Sequence, residues 1–113
     1  MTLYGIKTCD KVRKAIKFFK AHDLPFTLVD YKKEQVDEVK IREWLEKTTV
    51  DTLFNNRGTK YRTLKLKALN LDESGKIAWM AKENYLIKRP VIEHGDALLV
   101  GFDEELYAKT LLD

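Results

Sequence analysis

The chain has 113 residues, the size of one domain, and its hydrophobic share of 44% is enough for a single core. A net charge of +3 is too mild for the clustered basic excess of a nucleic-acid binder, and no apolar run approaches the roughly 20 residues of a membrane span. One cysteine excludes an intrachain disulfide; with no secretory leader visible at the start, this predicts a reducing, cytoplasmic setting.

Leu3 to Ile6 reads as a short buried strand. Val12, Ala15, Ile16 and Phe19 then fall at i, i+3, i+4 and i+7, which predicts a helix over about 10–22 with Asp10 in its first turn. Leu24-Pro25 breaks that pattern, and Phe26 to Tyr31 predicts a second strand. Strand, helix and strand within about 30 residues make a βαβ unit with parallel strands and a right-handed crossover. From 32 to 86 the signal is helical throughout. Gln35–Lys47 carries Ile41, Trp44 and Leu45 on one face, and Val50–Phe54 reads as a short helix before the Asn55-Asn56-Arg57-Gly58 turn. Tyr61–Ala68 and Ser74–Asn84 follow as further helices, and no strand is expected in this stretch. Val91–Glu93 and Ala97–Val100 flank a tight hairpin turn centred on His94-Gly95-Asp96. Asp103 caps a last helix with Tyr107 and Leu111 inward. The expected fold is therefore α/β: a four-stranded mixed sheet with flanking helices in a thioredoxin-like arrangement. It is expected as one domain over residues 1–113, with a helical insert at about 33–86.

Cys9 lies where the first strand gives way to the first helix. Exposed backbone N–H groups and the helix dipole there favour a thiolate, which is both nucleophilic and soft. Lys7, Lys11 and Arg13 raise the local positive potential, whereas Asp10 opposes it. The bland alternative is a small buried residue at a strand end. Position 12, where a C-x-x-C pair would place its second sulfur, is Val12, so any mixed disulfide on Cys9 must be cleared by an external thiol. Arg57, in its turn, and Arg89, beside Pro90, offer planar paired donors for a carboxylate or oxyanion. Arg62 offers the same with less to recommend it. Thr8 is placed to bond a thiolate or simply water. His22 and His94 are too few and too far apart for a metal site with Cys9, and Trp44 and Trp79 read as packing residues.

Four blocks carry a family resemblance: Tyr4-Gly5-Ile6-Lys7-Thr8-Cys9-Asp10, Leu53-Phe54-Asn55-Asn56-Arg57-Gly58-Thr59, Ile87-Lys88-Arg89-Pro90-Val91-Ile92 and Leu99-Val100-Gly101-Phe102. In this order they resemble the arsenate reductase (ArsC)-related family, nearest its YffB-type reductases, with Spx-type transcriptional regulators more distant. The resemblance implies that Cys9 is the nucleophile and that Arg89 and Arg13 match basic positions around the anion. It also implies that Arg89-Pro90 is a cis peptide facing the sulfur. With Thr8 and Arg57 added on their own chemistry and position, the expected substrate-binding set is Thr8, Arg13, Arg57, Arg89 and Pro90, with Cys9, Arg89 and Arg57 catalytic and no metal. Two positions depart from the family. Asn55 stands at the insert arginine, with Arg57 two residues on, and Ala97 stands at the hairpin arginine. Both departures weigh against efficient arsenate reduction. The implied activity is a glutathione-dependent thiol oxidoreductase acting on a small oxyanion or a mixed disulfide. Glutathione serves as co-substrate or glutaredoxin as donor, with no bound cofactor and a monomeric chain. The alternative is an Spx-like protein that binds RNA polymerase without catalysis.

Overall fold

A computed structural model describes residues 1–112 of the chain. They form two compact units: Met1–Glu34 together with the chain from Arg89 onward, and Gln35–Lys88.

The first unit is built on β1 (Thr2–Gly5), α1 (Asp10–Ala21), β2 (Thr27–Asp30), β3 (Val91–His94), β4 (Ala97–Val100) and α6 (Glu104–Leu111). The strand order is β2-β1-β3-β4. β1 and β2 are parallel with α1 as their crossover, and β3 runs antiparallel to both β1 and β4. This is the expected thioredoxin-like mixed sheet. Register fixes which face is apolar, because side chains alternate along a strand. Leu3 pairs with Leu28 on one side and Ile92 on the other, and Ile92 pairs with Leu99. That row meets Val12, Ala15 and Phe19 of α1 and Tyr107 and Leu111 of α6 in one core. The buried stripe of α1 is wider than the periodicity predicts. Phe18 joins it because its ring packs edge-on to Tyr107, with centroids 5.6 Å apart, while Ile16 is only half-buried.

The hairpin is tighter than expected. β3 extends to His94, which pairs with Ala97, so only Gly95 and Asp96 make the turn. Gly95 supplies the positive φ of 57° that two-residue hairpin loops demand. Asp103 caps α6 as expected, its Oδ1 accepting from the Leu106 amide at 3.1 Å.

The second unit holds α2 (Glu38–Trp44), α3 (Val50–Leu53), α4 (Thr59–Thr63) and α5 (Glu73–Lys82), with 3-10 turns at Leu66–Leu69 and Asn84–Leu86. All four expected helices change in extent, α3 only by ending at Leu53 instead of Phe54. α2 starts only at Glu38 because Asp37 caps it, accepting from the Lys40 amide at 3.0 Å. The expected Tyr61–Ala68 helix is broken at Lys65, whose φ of 55° is left-handed, into α4 and a 3-10 turn. α5 begins one residue earlier than its expected Ser74, because Asp72 caps it through the Gly75 amide at 2.8 Å. The expectation of no strand pairing here is also corrected. Phe54 and Ile87 form an isolated antiparallel bridge, flanked by bonds from the Asn55 amide to the Leu86 carbonyl at 2.7 Å and from the Lys88 amide to the Leu53 carbonyl at 2.8 Å. Trp44 and Ile41 are buried, as their helical face predicts, and so are Ile77 and Met80 of α5. Among the described residues no helix is long and apolar enough to cross a membrane.

Candidate active site

The chain leaving β1 turns at once into α1. The Cys9 amide bonds back to the Ile6 carbonyl at 3.2 Å, and the Cys9 carbonyl accepts the first helical bond, from Arg13, at 3.0 Å. Cys9 is therefore the N-cap, with extended φ and ψ of −76° and 129°. Its thiol makes no ordinary capping hydrogen bond of the kind an oxygen side chain makes. The N-terminal amides act on the sulfur's charge instead. Partial burial alone would push the thiol up. The Val12 amide, the Arg89 guanidinium and the Lys11 amide together outweigh it and hold Cys9 below the ordinary thiol value.

Arg89 comes to this site from the far end of the sequence. Only Pro90 separates it from β3, which is antiparallel to β1, so the start of β3 lies beside the end of β1 where Cys9 follows. The Arg89–Pro90 bond is cis, as the family resemblance implies. The Pro90 carbonyl accepts from the Gly101 amide at 2.8 Å, and the Gly101 carbonyl in turn accepts from the Tyr107 hydroxyl. The backbone beside Arg89 is thus tied through β4 to the aromatic core.

Because Cys9 titrates low in the folded chain, stability gains a pH dependence of definite sign. Between the lowered value and the ordinary thiol value the unfolded chain holds the proton and the folded chain does not, so stability rises with pH across that window. It is lost as pH falls through the folded value. Arg89→Ala removes one of the groups that hold the thiol down. The alkylation midpoint of Cys9 should then move up in pH, with a fall on the order of 10-fold in reactivity at neutral pH. Iodoacetamide kinetics across pH would show this, and an unmoved midpoint would mean that Arg89 is electrostatically idle.

Thr8, Lys7 and Arg13 are exposed beside the sulfur on the loop and first turn. Pro90 is buried. Arg57 is exposed in the Gln35–Lys88 unit, where its amide donates to Asn55 Oδ1 at 3.2 Å. Arg62 Nη1 donates to the Arg57 carbonyl at 2.8 Å, which braces that turn. His22 is the C-cap of α1, its ring 4.4 Å from that of Phe18, and His94 is exposed at the end of β3. Among the described residues no cluster of His, Cys, Asp and Glu could hold a metal ion.

Two residues near the sulfur escape sequence reasoning. Gly5 is one: a Cβ there would lie 2.7 Å from Val12 Cγ2, so only glycine lets β1 and the first turn of α1 approach this closely. Tyr31 is the other. Its amide bonds to the Gly5 carbonyl at 2.9 Å, its side chain is 3% exposed, and its hydroxyl makes no hydrogen bond among the described residues. Burial, above all, and the charges of Tyr4 and Glu93 push its ionisation far up against the pull of Arg89, so it stays protonated. Close by, the Tyr4 hydroxyl donates to Glu93 Oε1 at 2.7 Å. The Tyr4-Gly5 pair sits in the first family block, but nothing local distinguishes Tyr31 from a strand-end aromatic.

The ArsC family matches residues 4–110 of this chain. A solved structure of a YFFB protein is 37% identical with a TM-score of 0.90 and covers 97% of each chain. The solution structure of an arsenate reductase (ArsC) related protein from Brucella melitensis is 33% identical with a TM-score of 0.74, over 96% of this chain and 92% of the other. An uncharacterised protein of Haemophilus influenzae is 35% identical over 95% of both chains. The global transcriptional regulator Spx 1 of Oceanobacillus iheyensis is more distant, at 27% identity over 93% of this chain and 82% of the regulator.

Proposed function

Because this chain belongs to the ArsC family, we propose that it is a cytoplasmic thiol-dependent reductase working through Cys9. The observation that supports this is the sulfur's setting. Cys9 caps α1, and the Val12 and Lys11 amides and the Arg89 guanidinium favour its ionised form over the opposing effect of burial. In the cycle proposed, the Cys9 thiolate attacks the glutathione sulfur of a mixed disulfide. The substrate thiolate leaves, and Cys9 carries glutathione. A second glutathione thiolate, or a glutaredoxin thiol, then attacks that adduct. It takes the glutathione as a new disulfide and returns Cys9 as thiolate. One S–S bond breaks and one forms at each step, and the external thiol supplies the reducing equivalents. An external donor is required because Cys9 is the chain's single cysteine.

Arg89 and Arg13 are assigned to the carboxylates of glutathione, with Thr8 as a hydroxyl donor and Pro90 as the backbone wall. Arg57 enters the reading from its place in the Asn55-Asn56-Arg57-Gly58 turn, two residues past the family's arginine position, and its part is judged by Arg57→Ala. Arsenate is disfavoured as the natural substrate, because Asn55 and Ala97 stand where the family's anion-holding arginines are expected. The chemistry needs only thiols and no bound cofactor, and a monomer suffices for it. The Spx-type alternative, a polymerase-binding protein without turnover, has no need of an ionised sulfur.

The test is a steady-state assay with glutathione, glutaredoxin and a glutathione mixed disulfide, comparing the natural chain with Cys9→Ser. Turnover should vanish in the variant. Equal rates, or a Cys9 alkylation midpoint at or above that of a free thiol, would remove the enzyme reading.

A further inference from the structure

The outer face of α1 is more basic than its role as a sheet-covering helix requires. Lys11, Arg13, Lys14, Lys17 and Lys20 are all exposed, against the single acidic Asp10. Asp10 pairs with Lys14 at 3.3 Å, but both are well exposed, so the pair is weak and leaves the face positive. Beside this cationic stripe lies a groove of about 450 Å³. Its floor and walls are Phe18, Phe102 and His22, and Lys14 and Lys17 stand on its rim, with Glu104 as the one opposing charge. Phe18 and Phe102 both pack on Tyr107, at centroid distances of 5.6 and 5.1 Å, so the apolar floor is fixed from beneath.

We infer that this face of α1 docks an acidic protein partner that delivers the thiol to Cys9. The inference rests on the reading of Cys9 as a reductase nucleophile. A partner that clears the adduct must approach the N-terminus of α1, since the sulfur is there. At about 1.5 Å per residue, Lys17 is roughly 12 Å and His22, at the groove's far wall, roughly 20 Å along the helix from Cys9. A standard interface of about 800 Å² per partner spans that distance with ease, so one docked surface covers both the sulfur and the groove. The cations select a partner of opposite sign and speed its encounter. The groove accepts one large apolar side chain, the kind of anchor on which interfaces concentrate their binding energy. Glu104 then sets a local limit: the partner's acidic residues belong over Lys14 and Lys17 and away from the start of α6.

The experiment uses the whole chain with glutathione on Cys9 and three synthetic cysteine peptides as thiol donors. The first is rich in aspartate and carries one phenylalanine, the second is the same with serine for phenylalanine, and the third is neutral. Each peptide thiolate attacks the glutathione sulfur, forms a peptide–glutathione disulfide and frees Cys9, which mass spectrometry follows. At low salt the first peptide should react about 10-fold faster than the neutral one. That advantage should disappear at high salt and in Lys14→Glu/Lys17→Glu, while the neutral peptide reacts alike with both proteins. The serine peptide should fall between them. Equal rates for acidic and neutral peptides in the natural chain would overturn the docking face, and equal rates with and without phenylalanine would overturn the groove. A failure of the parent reading looks different: Cys9 would resist loading by oxidised glutathione before any peptide is added, and the docking proposal would fall with it.

Discussion

Gly5→Ala will slow Cys9 alkylation at neutral pH by on the order of 10-fold, and adding Val12→Ala will restore most of the loss. The clash is specific. The new Cβ would sit 2.7 Å from Val12 Cγ2, and Val12 is fully buried in the core between α1 and the sheet, so it has nowhere to turn. The first turn of α1 must move away from β1. The Val12 amide moves with it, and that amide is one of the groups that hold Cys9 down. The strain of an overfilled contact should also cost about 1–3 kcal/mol of stability. Lost stability alone does not shift a titration midpoint, so the pH profile separates the two effects. Trimming Val12 to alanine removes both γ-methyls, frees the space and lets the turn return, at the cost of a small cavity. The profile of Gly5→Ala should therefore be displaced upward in pH, and that of the double variant should lie near the natural one. Superimposable profiles for Gly5→Ala and the natural chain would show that the close approach of β1 and α1 has no part in tuning the sulfur.

The same pair of residues shows where sequence reading succeeds and where it stops. α1 was legible because Val12, Ala15 and Phe19 repeat at helical spacing, a signal contained within one short segment. The strand before it and the loop between them are equally local signals, so the sequence alone places Cys9 at a helix N-terminus. The Asp103 cap and the Gly95 turn belong to the same class, since side-chain oxygens and positive φ act on near neighbours. The distance from Gly5 to Val12 Cγ2 does not, because it exists only once the strand and helix pack. The orphaned Tyr31 hydroxyl likewise depends on where β1 and β3 set their side chains. In the helical unit the weak periodicity over 61–68 concealed a left-handed Lys65, for which lysine carries no signal. The Phe54–Ile87 bridge, joining residues far apart in sequence, had none either. Arg89 lies between these extremes. Its proline neighbour marked it, and the antiparallel pairing of β1 with β3 explains its place beside Cys9.

The sequence marks Asn84 only as the last residue of a helix, yet its replacement should cost much of the stability of the Gln35–Lys88 unit. Its side chain is 1% exposed and fully bonded: Oδ1 accepts from the Val36 amide at 2.8 Å, and Nδ2 donates to the Val36 carbonyl at 3.1 Å and the Met80 carbonyl at 2.9 Å. Asn84 thus fastens the segment ahead of α2 to the end of α5 through both polar groups of one residue's backbone. In Asn84→Ala all three bonds go, and the Val36 N–H and C=O are left without this partner beside a buried side chain. An unmet buried backbone group costs about 1–3 kcal/mol, so a total loss of about 3 kcal/mol is expected in chemical denaturation. Exchange of the Val36 amide should accelerate with it. Asn84→Asp provides an internal check of sign. A carboxylate in this place faces two carbonyls and would be pushed toward its protonated form by burial. The unfolded chain ionises first as pH rises, so the stability of the aspartate variant should fall from acid to neutral pH relative to the natural chain. A loss under about 1 kcal/mol in the alanine variant, with Val36 exchange unchanged, would show that water replaces the amide at little cost and that the clamp does not hold α2 to α5.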